Sequence, residues 1–223
     1  MGIPVATITD QQGQKLGLAF ELLSLEVRRE LNRIPEATLK FLDGSVAKRA
    51  FELSNQSFFE PGKQVSIALR YEGEGADTVV FDGLIVRHEV DSDINGSSLR
   101  VELKDRAFKL TRQRKSTIFR KQTDDEALRK LISDAQLDTG SIATQTTKFD
   151  ELVQYYATDW DFLVSRADVE GMVVRVDRGT ISVEPMFTAG KKPKARLDFG
   201  ITEGLEFELS LDGTDQWAAM SSS

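Results

Sequence analysis

The chain holds one histidine, His88, and no cysteine, and these two scarcities remove most of the chemistry its side chains could perform. Without Cys there is no disulfide, no thiol nucleophile and no thiolate zinc site, and a single His cannot supply a two-histidine metal motif. A serine hydrolase would need His88 as its base, yet no Gly-x-Ser-x-Gly elbow occurs to hold a nucleophile between a strand and a helix. His88 itself lies in Leu84-Ile85-Val86-Arg87-His88-Glu89-Val90, a β-rich run in which it reads as an ordinary strand residue. Two-acid glycosidase chemistry stays arithmetically open, but 36 carboxylates guarantee chance pairs and no spacing selects one. No catalytic, cofactor-binding or metal-ligating residue is assigned.

Charge is more informative than nucleophiles. Lys104, Arg106, Lys109, Arg112, Arg114, Lys115, Arg120 and Lys121 stand within one short stretch opposed only by Asp105, in a chain whose formal charge is −7. An acidic protein does not coat nucleic acid or an anionic membrane with its whole surface. The local excess therefore reads either as a solvated linker or as an oligomer contact that docks an acidic neighbour, with Arg112, Arg114 and Lys115 as the candidate subunit contact. Nucleic acid is not expected there, because only Phe108 and Phe119 interleave the charges. Phe58-Phe59, ahead of Glu60-Pro61-Gly62, is either an exposed interface patch or a plug that closes a barrel. Glu203, Glu206 and Glu208 read as a solvated acidic face.

The elements that must position these residues follow from periodicity. Up to about residue 110, apolar residues recur at period two between turn signals, most clearly at Val65, Ile67, Leu69 and Tyr71 after Pro61-Gly62. Leu23, Leu25 and Val27, then Leu39 and Phe41 before Asp43-Gly44, then Leu99, Val101 and Leu103 after Asn95-Gly96, repeat the pattern. Strands in such number expose two edges unless the sheet closes, so a small barrel is expected. The period then changes. Thr123-Asp124-Asp125-Glu126 has the form of a capping box, and Ala127, Leu128, Leu131, Ile132 and Ala135 form one stripe, which predicts a helix from about 124 to 136. Thr158-x-x-Asp161 opens a second helix with Trp160, Leu163, Val164 and Ala167 on its buried face and Gly171 at its end. Met172–Val176, Asp177-Arg178-Gly179 and Ile181–Pro185 then form a hairpin, its Arg178-Gly179 a plain turn. The stretch 147–157 fits either a helix or an extended lead-in. A loop at 188–196 precedes one more strand at Leu205–Leu209. A lone strand cannot form a sheet, so the chain reads as cut short or as needing a partner strand.

Composition agrees with a soluble chain: 223 residues, 40% apolar and 29% charged, with no apolar run near the ~18 residues of a membrane span. Met1–Val5 lacks a basic region followed by an apolar stretch, so the expected compartment is the cytoplasm.

The run from Gln154 to Met172 is more specific than secondary structure requires. Gln154, then Asp159 two residues before Asp161-Phe162-Leu163, then Arg166 and Glu170-Gly171 ahead of the hairpin, closely resemble a segment of the baseplate hub and spike family of contractile injection systems. That family includes the VgrG spike proteins of type VI secretion, the late control protein D of phages and the spike proteins of extracellular contractile particles, which the Trp160 form resembles most. Weaker similarity extends along the chain, through Val80-Phe81-Asp82-Gly83-Leu84-Ile85, Val101–Leu103, Asp105–Leu110, Phe119–Leu131 and Ala195–Gly200.

The resemblance implies a fold that is mainly β with an α+β insertion: a first hub barrel at 1–110, an inserted α+β domain with helix and hairpin at 111–195, and the first strand of a truncated second barrel at 196–223. It implies a homotrimeric structural hub, not an enzyme and without cofactors, that adapts a threefold spike to the sixfold inner tube. Its partners would be the inner tube ring, other baseplate proteins and the downstream spike needle and tip, with no nucleic acid and no membrane insertion by this portion. Assembly in the bacterial cytoplasm, then incorporation into a phage tail-like particle, is the matching location. The motif residues Gln154, Asp159, Trp160, Asp161, Phe162, Leu163, Arg166, Glu170 and Gly171 are expected to be structural, with Arg166 pairing Asp159 or Glu170. The alternative is a small-barrel module that binds carbohydrate or nucleic acid, which predicts stacking aromatics on an open face.

Overall fold

Period-two alternation in the first half of the chain becomes a six-stranded antiparallel sheet in the computed structural model, which describes residues 4–186 except 18, 45–49, 74 and 94–95. The strands are β1 (Pro4–Asp10), β2 (Leu22–Arg28), β3 (Glu36–Leu42), β4 (Gln64–Tyr71), β5 (Thr78–Asp93) and β6 (Gly96–Asp105), in the order β1-β4-β5-β6-β3-β2. One face is dry: Leu39, Phe41, Ile67, Phe81, Leu99 and Leu103 are buried together. The sheet curls into a half-barrel, the small antiparallel barrel architecture that the alternation suggests. Among the described residues no ladder joins β1 to β2. The connecting segment lies along that seam: the Leu16 N–H donates to the Ile8 carbonyl at 2.8 Å, and Leu16 and Phe20 pack on the core. Phe59, in a 3-10 turn at Ser57–Phe59, is fully buried 5.3 Å from Phe41, so of the two readings for Phe58-Phe59 the plug is the one realised.

Alternation fails where the ladder slips. A register shift at Leu22/Ser24 sends Leu22, Leu25 and Val27 toward the core and leaves Leu23 exposed. In β4 the single face read from Val65 to Tyr71 holds only to Ile67, since Ala68 is buried and Tyr71 is half-exposed, although the extra residue of the slip at Ile67/Ala68 is Val80 in the neighbouring β5. One extra residue reverses the facing of everything beyond it. Gly83, opposite Asp105, has no room for a side chain: a Cβ would collide with the Lys104 carbonyl and the Phe81 ring. Beyond β3, the buried Asp43 carboxylate accepts from the N–H groups of Gly44 (2.9 Å), Leu53 (3.0 Å) and Ser54 (2.8 Å) and from the Ser54 hydroxyl. Burial alone would raise its pKa, but these bonds hold it below the ordinary value.

The second half builds its own core. After a 3-10 turn at Arg106–Thr111 come β7 (Arg114–Gln122), α1 (Asp124–Asp134), β8 (Asp138–Ile142), β9 (Phe149–Thr158), α2 (Asp159–Val169), β10 (Met172–Asp177) and β11 (Thr180–Pro185). β7 and β9 form an antiparallel ribbon, while β10, β11 and β8 form a sheet in which β8 runs parallel to β11. Leu110, Phe119, Leu128, Ile132, Leu163, Val174 and Ile181 meet in the interior. The ambiguous stretch at 147–157 is strand from Phe149 onward. So is much of the basic stretch, which sequence reading treats as linker or contact surface, because within β7 only Phe119 faces the core and no apolar alternation marks it.

The two cores are fastened to each other by polar contacts, and the described residues pack as one unit. Asn32 exchanges two hydrogen bonds with Val174, each 2.8 Å, as a strand neighbour of β10 would. The turn residues Arg178 and Gly179 have φ of 50° and 79°, the backbone of a two-residue type I′ hairpin. They are more than the plain turn expected. The Gly179 N–H donates to both oxygens of the buried Asp105 at 3.1 and 3.0 Å, and Arg106 donates to the Arg178 carbonyl at 2.9 Å. Burial pushes the Asp105 carboxyl above its ordinary pKa. The expected loop at 188–196, the acidic residues Glu203, Glu206 and Glu208, and the unit at 196–223 lie outside the described residues.

Candidate functional site

The segment from Gln154 to Gly171 is assembled by β9, α2 and the start of the hairpin. Thr158 caps α2, its hydroxyl accepting from the Asp161 N–H at 3.0 Å, and Asp159 and Asp161 place carboxylates at the positive end of the helix. Asp159 is buried: Lys115 reaches one oxygen at 2.7 Å and the Gln154 amide reaches the other at 3.0 Å. Trp160, Phe162 and Leu163 enter the core, with the Phe162 ring stacked on Phe119 at 5.6 Å. Asp161 stays exposed and lines an open cleft of about 620 Å³ together with Arg28, Arg33, Lys104 and Trp160.

Arg166 departs from expectation. Its guanidinium grips Asp124, at 2.6 and 2.8 Å, in a bidentate pair whose carboxylate has 0% exposure. Neither Asp159 nor Glu170 is its hydrogen-bonded partner; the true one opens the other helix, 42 residues away. Glu170 instead accepts from the Gln145 N–H at 2.7 Å, and burial, with the Asp124 charge beside it, pushes its pKa up. Gly171, with φ of 65°, terminates α2.

The basic stretch separates into used and unused charges. Lys104 pairs with Glu36 (3.7 Å), Arg106 with Asp138 (3.4 Å), Lys115 with Asp159 (2.7 Å) and Arg120 with Glu151 (2.9 Å). Arg114 donates to the Tyr156 carbonyl at 3.2 Å and lies over the Tyr156 ring. Arg112, over the Phe108 ring, and Lys109 have no ion pair with any described residue, and both line an open cleft of about 290 Å³ with Gln113, Lys115, Gln136 and the carboxylates Asp134 and Asp159. Of the three candidate contact residues, the structure therefore leaves Arg112 free, half-commits Arg114 and commits Lys115.

Next to these cations the ribbon presents Ile118, Val153, Tyr155 and Tyr156 to solvent. Ile118 and Val153 are directly paired across the strands. Sequence reading placed Tyr156 in either a helix or an extended lead-in, and Tyr155 in the lead-in alone. The signal available was the doublet itself, two adjacent aromatics in a run that otherwise alternates.

These groups can dock a surface. His88 sits in β5 with Nδ1 3.1 Å from the Phe59 carbonyl, a contact that ties down the plug. Among the described residues, no three His, Cys, Asp or Glu side chains converge as metal ligands, and no helix is long and apolar enough to cross a membrane.

A family model described as the Alg8 N-terminal domain matches residues 4–223. No curated protein matches the chain. Among solved structures, the chain is similar to the 43 kDa tail protein of prophage MuSo2 from Shewanella oneidensis, with 13% identity, TM-score 0.60, and coverage of 82% of this chain and 53% of that one. A tail protein from Neisseria meningitidis MC58 gives 13% identity, TM-score 0.59, and coverage of 81% and 50%. The E. coli c3393 protein, described as a component of the type VI secretion system with structural similarity to the T4 tail proteins gp27 and gp5, gives 16% identity, TM-score 0.55, and coverage of 79% and 48%. The chain thus spans about half the length of these solved relatives and shares their fold.

Proposed function

This chain belongs to the Alg8 N-terminal domain family, and from that premise and its tail-protein fold we propose that it is the structural hub portion of a contractile injection system. In this reading a trimer adapts a threefold spike to the sixfold inner tube, with the tube ring, baseplate proteins and spike needle as partners and no catalytic role. The observation that carries it is the half-barrel with its α+β companion, which superposes over about four-fifths of the chain on a prophage tail protein and on a second tail protein. The division into a first barrel to about 110, an inserted domain to about 195 and the start of a second barrel belongs to the same proposal, as do cytoplasmic assembly and incorporation into a tail-like particle. So does a structural role for the motif: its buried members cap, stack and pair within the fold, and they leave no constellation for chemistry.

Deleting residues 4–186 from the full-length protein tests this, with particles inspected by electron microscopy. The expected result is loss of assembled particles and of co-purification with the tube protein. Normal particles with the tube attached would refute the hub role.

A second reading has one observation in its favour. Tyr155 and Tyr156 on an open ribbon beside Arg112 and Arg114 are the stacking aromatics that a nucleic-acid or carbohydrate module would show. Fluorescence titration with a single-stranded oligonucleotide or an oligosaccharide tests it, and saturable binding by a monomer would favour it over the hub.

A further inference from the structure

Tyr155 and Tyr156 are neighbours in β9, yet both rings are on the surface, 81% and 67% exposed. Successive residues of a regular strand face opposite sides, so two adjacent outward rings require a break in the ladder. The break lies opposite Ser116. Lys115 pairs with Ala157 and Thr117 with Gln154, so β9 carries one residue more than β7 between those rungs. Tyr156 absorbs the extra residue at φ of 44°, in the left-handed region that aromatic residues rarely occupy. Two contacts hold it there: its N–H donates to the Ser116 hydroxyl at 3.2 Å, and its carbonyl accepts from Arg114 at 3.2 Å. A bulge with a strained residue re-aims side chains, and such strain collects where a side chain must meet something outside the fold.

The cations beside the bulge are unsatisfied. Lys109 and Arg112 form no ion pair with any described residue and line the cleft next to the ribbon, whose two carboxylates, Asp159 and Asp134, are paired with Lys115 and Lys130. Tyrosine and arginine are the side chains that dominate protein interfaces, because they bring large rigid contact areas and directed charge.

We propose that this corner, formed by Lys109, Arg112, Arg114, Tyr155 and Tyr156, is where a second copy of the chain docks through an acidic face. The argument for that occupant is charge. The stretch 104–121 holds eight cations against one acid, so a chain of net charge −7 carries about −14 over the remainder. A second copy can present part of that acidic remainder to these cations, so that carboxylates meet unpaired Lys and Arg side chains. The proposal rests on the hub reading for expecting self-association, and adds the surface that performs it.

Sedimentation equilibrium on the 223-residue chain, at low and high salt, tests the surface. The wild type is expected to self-associate, and to do so less in high salt. Tyr155→Ser and Arg112→Glu should each weaken association by about tenfold or more, with unchanged circular dichroism melts. Tyr71→Ser, a half-exposed tyrosine on another element, should leave association unaltered. A wild type that stays monomeric, or variants that associate as the wild type does, would overturn the proposal. So would a monomer that binds a single-stranded oligonucleotide through Tyr155 and Arg112. Neither the tube protein nor particle assembly enters this experiment, so normal particles with the tube attached in the deletion test would refute the hub reading without touching this one, and the converse holds.

Discussion

Replacing Arg166 by methionine isolates what holds α1 against α2. The substitution keeps a long apolar stem but removes the guanidinium that meets Asp124 at 2.6 and 2.8 Å. Asp124 is left with 0% exposure and no cation. Breaking a buried pair by removing one partner costs about 3–5 kcal/mol, because the remaining charge is neither solvated nor matched. Two smaller effects adjust that figure. Asp124 is the first residue of α1, where the helix dipole recovers up to ~1 kcal/mol. The Arg166 guanidinium also lies 5.1 Å from the centroid of the Phe149 ring, and its loss adds about 0.5–1 kcal/mol. The two nearly cancel, so the expected loss is about 3–5 kcal/mol, or roughly 6–20 °C in Tm for a unit of this size. Urea denaturation read by circular dichroism and tryptophan fluorescence measures it. The double variant Asp124→Asn with Arg166→Met removes both charges and should recover about 1–2 kcal/mol of the loss. A single variant within ~1 kcal/mol of wild type, or a double variant no better than the single, would refute the claim that a buried charge pair clamps the helices.

Asp43→Ala removes the acceptor of three backbone N–H groups and should cost about 2–4 kcal/mol in chemical denaturation. Because the Asp43 pKa lies below its ordinary 3.8, its stabilisation is present above that value and fades as pH falls, so the variant should lose part of the acid dependence of the wild type. Asp105 carries the opposite sign. Its raised pKa means that folding takes up a proton, so its contribution to stability declines as pH climbs from 3.8 through the raised value, and Asp105→Asn should flatten that part of the curve. Gly83→Ala forces a methyl against the Lys104 carbonyl and the Phe81 ring; an expected loss of about 1–3 kcal/mol is measurable by thermal melting. Tyr156→Asn exchanges an exposed ring for a residue that tolerates positive φ, so stability should remain within about 1 kcal/mol of wild type or rise.

Local chemistry was legible in the residues themselves. The Thr123–Glu126 capping box, the Thr158 cap, the Gly171 terminator and the Asp177-Arg178-Gly179 turn each act within a few residues, and each is where spacing places it. Alternation marked the strands of the curled sheet because burial on one face leaves a period of two whichever strand lies alongside. What alternation could not show was where the period breaks. The bulges at Leu22/Ser24 and Tyr156 depend on how two strands are matched, so Leu23 and the tyrosine pair reached the surface against or beyond the pattern. β7 was hidden for a related reason: its charges find Asp159, Glu151 and the Tyr156 carbonyl only once β9 lies beside it.

Composition alone removed thiol and two-histidine chemistry, and short-range spacing set the helices and turns, because those constraints act within one residue or one turn of chain. Tertiary structure alone joined Arg166 to Asp124, Asp105 to Gly179 and Lys115 to Asp159, and turned Tyr155 and Tyr156 outward together. Many acidic residues could satisfy each cation on paper, and only the packing of α1, α2 and the β7–β9 ribbon decides which one is within reach and shielded from water.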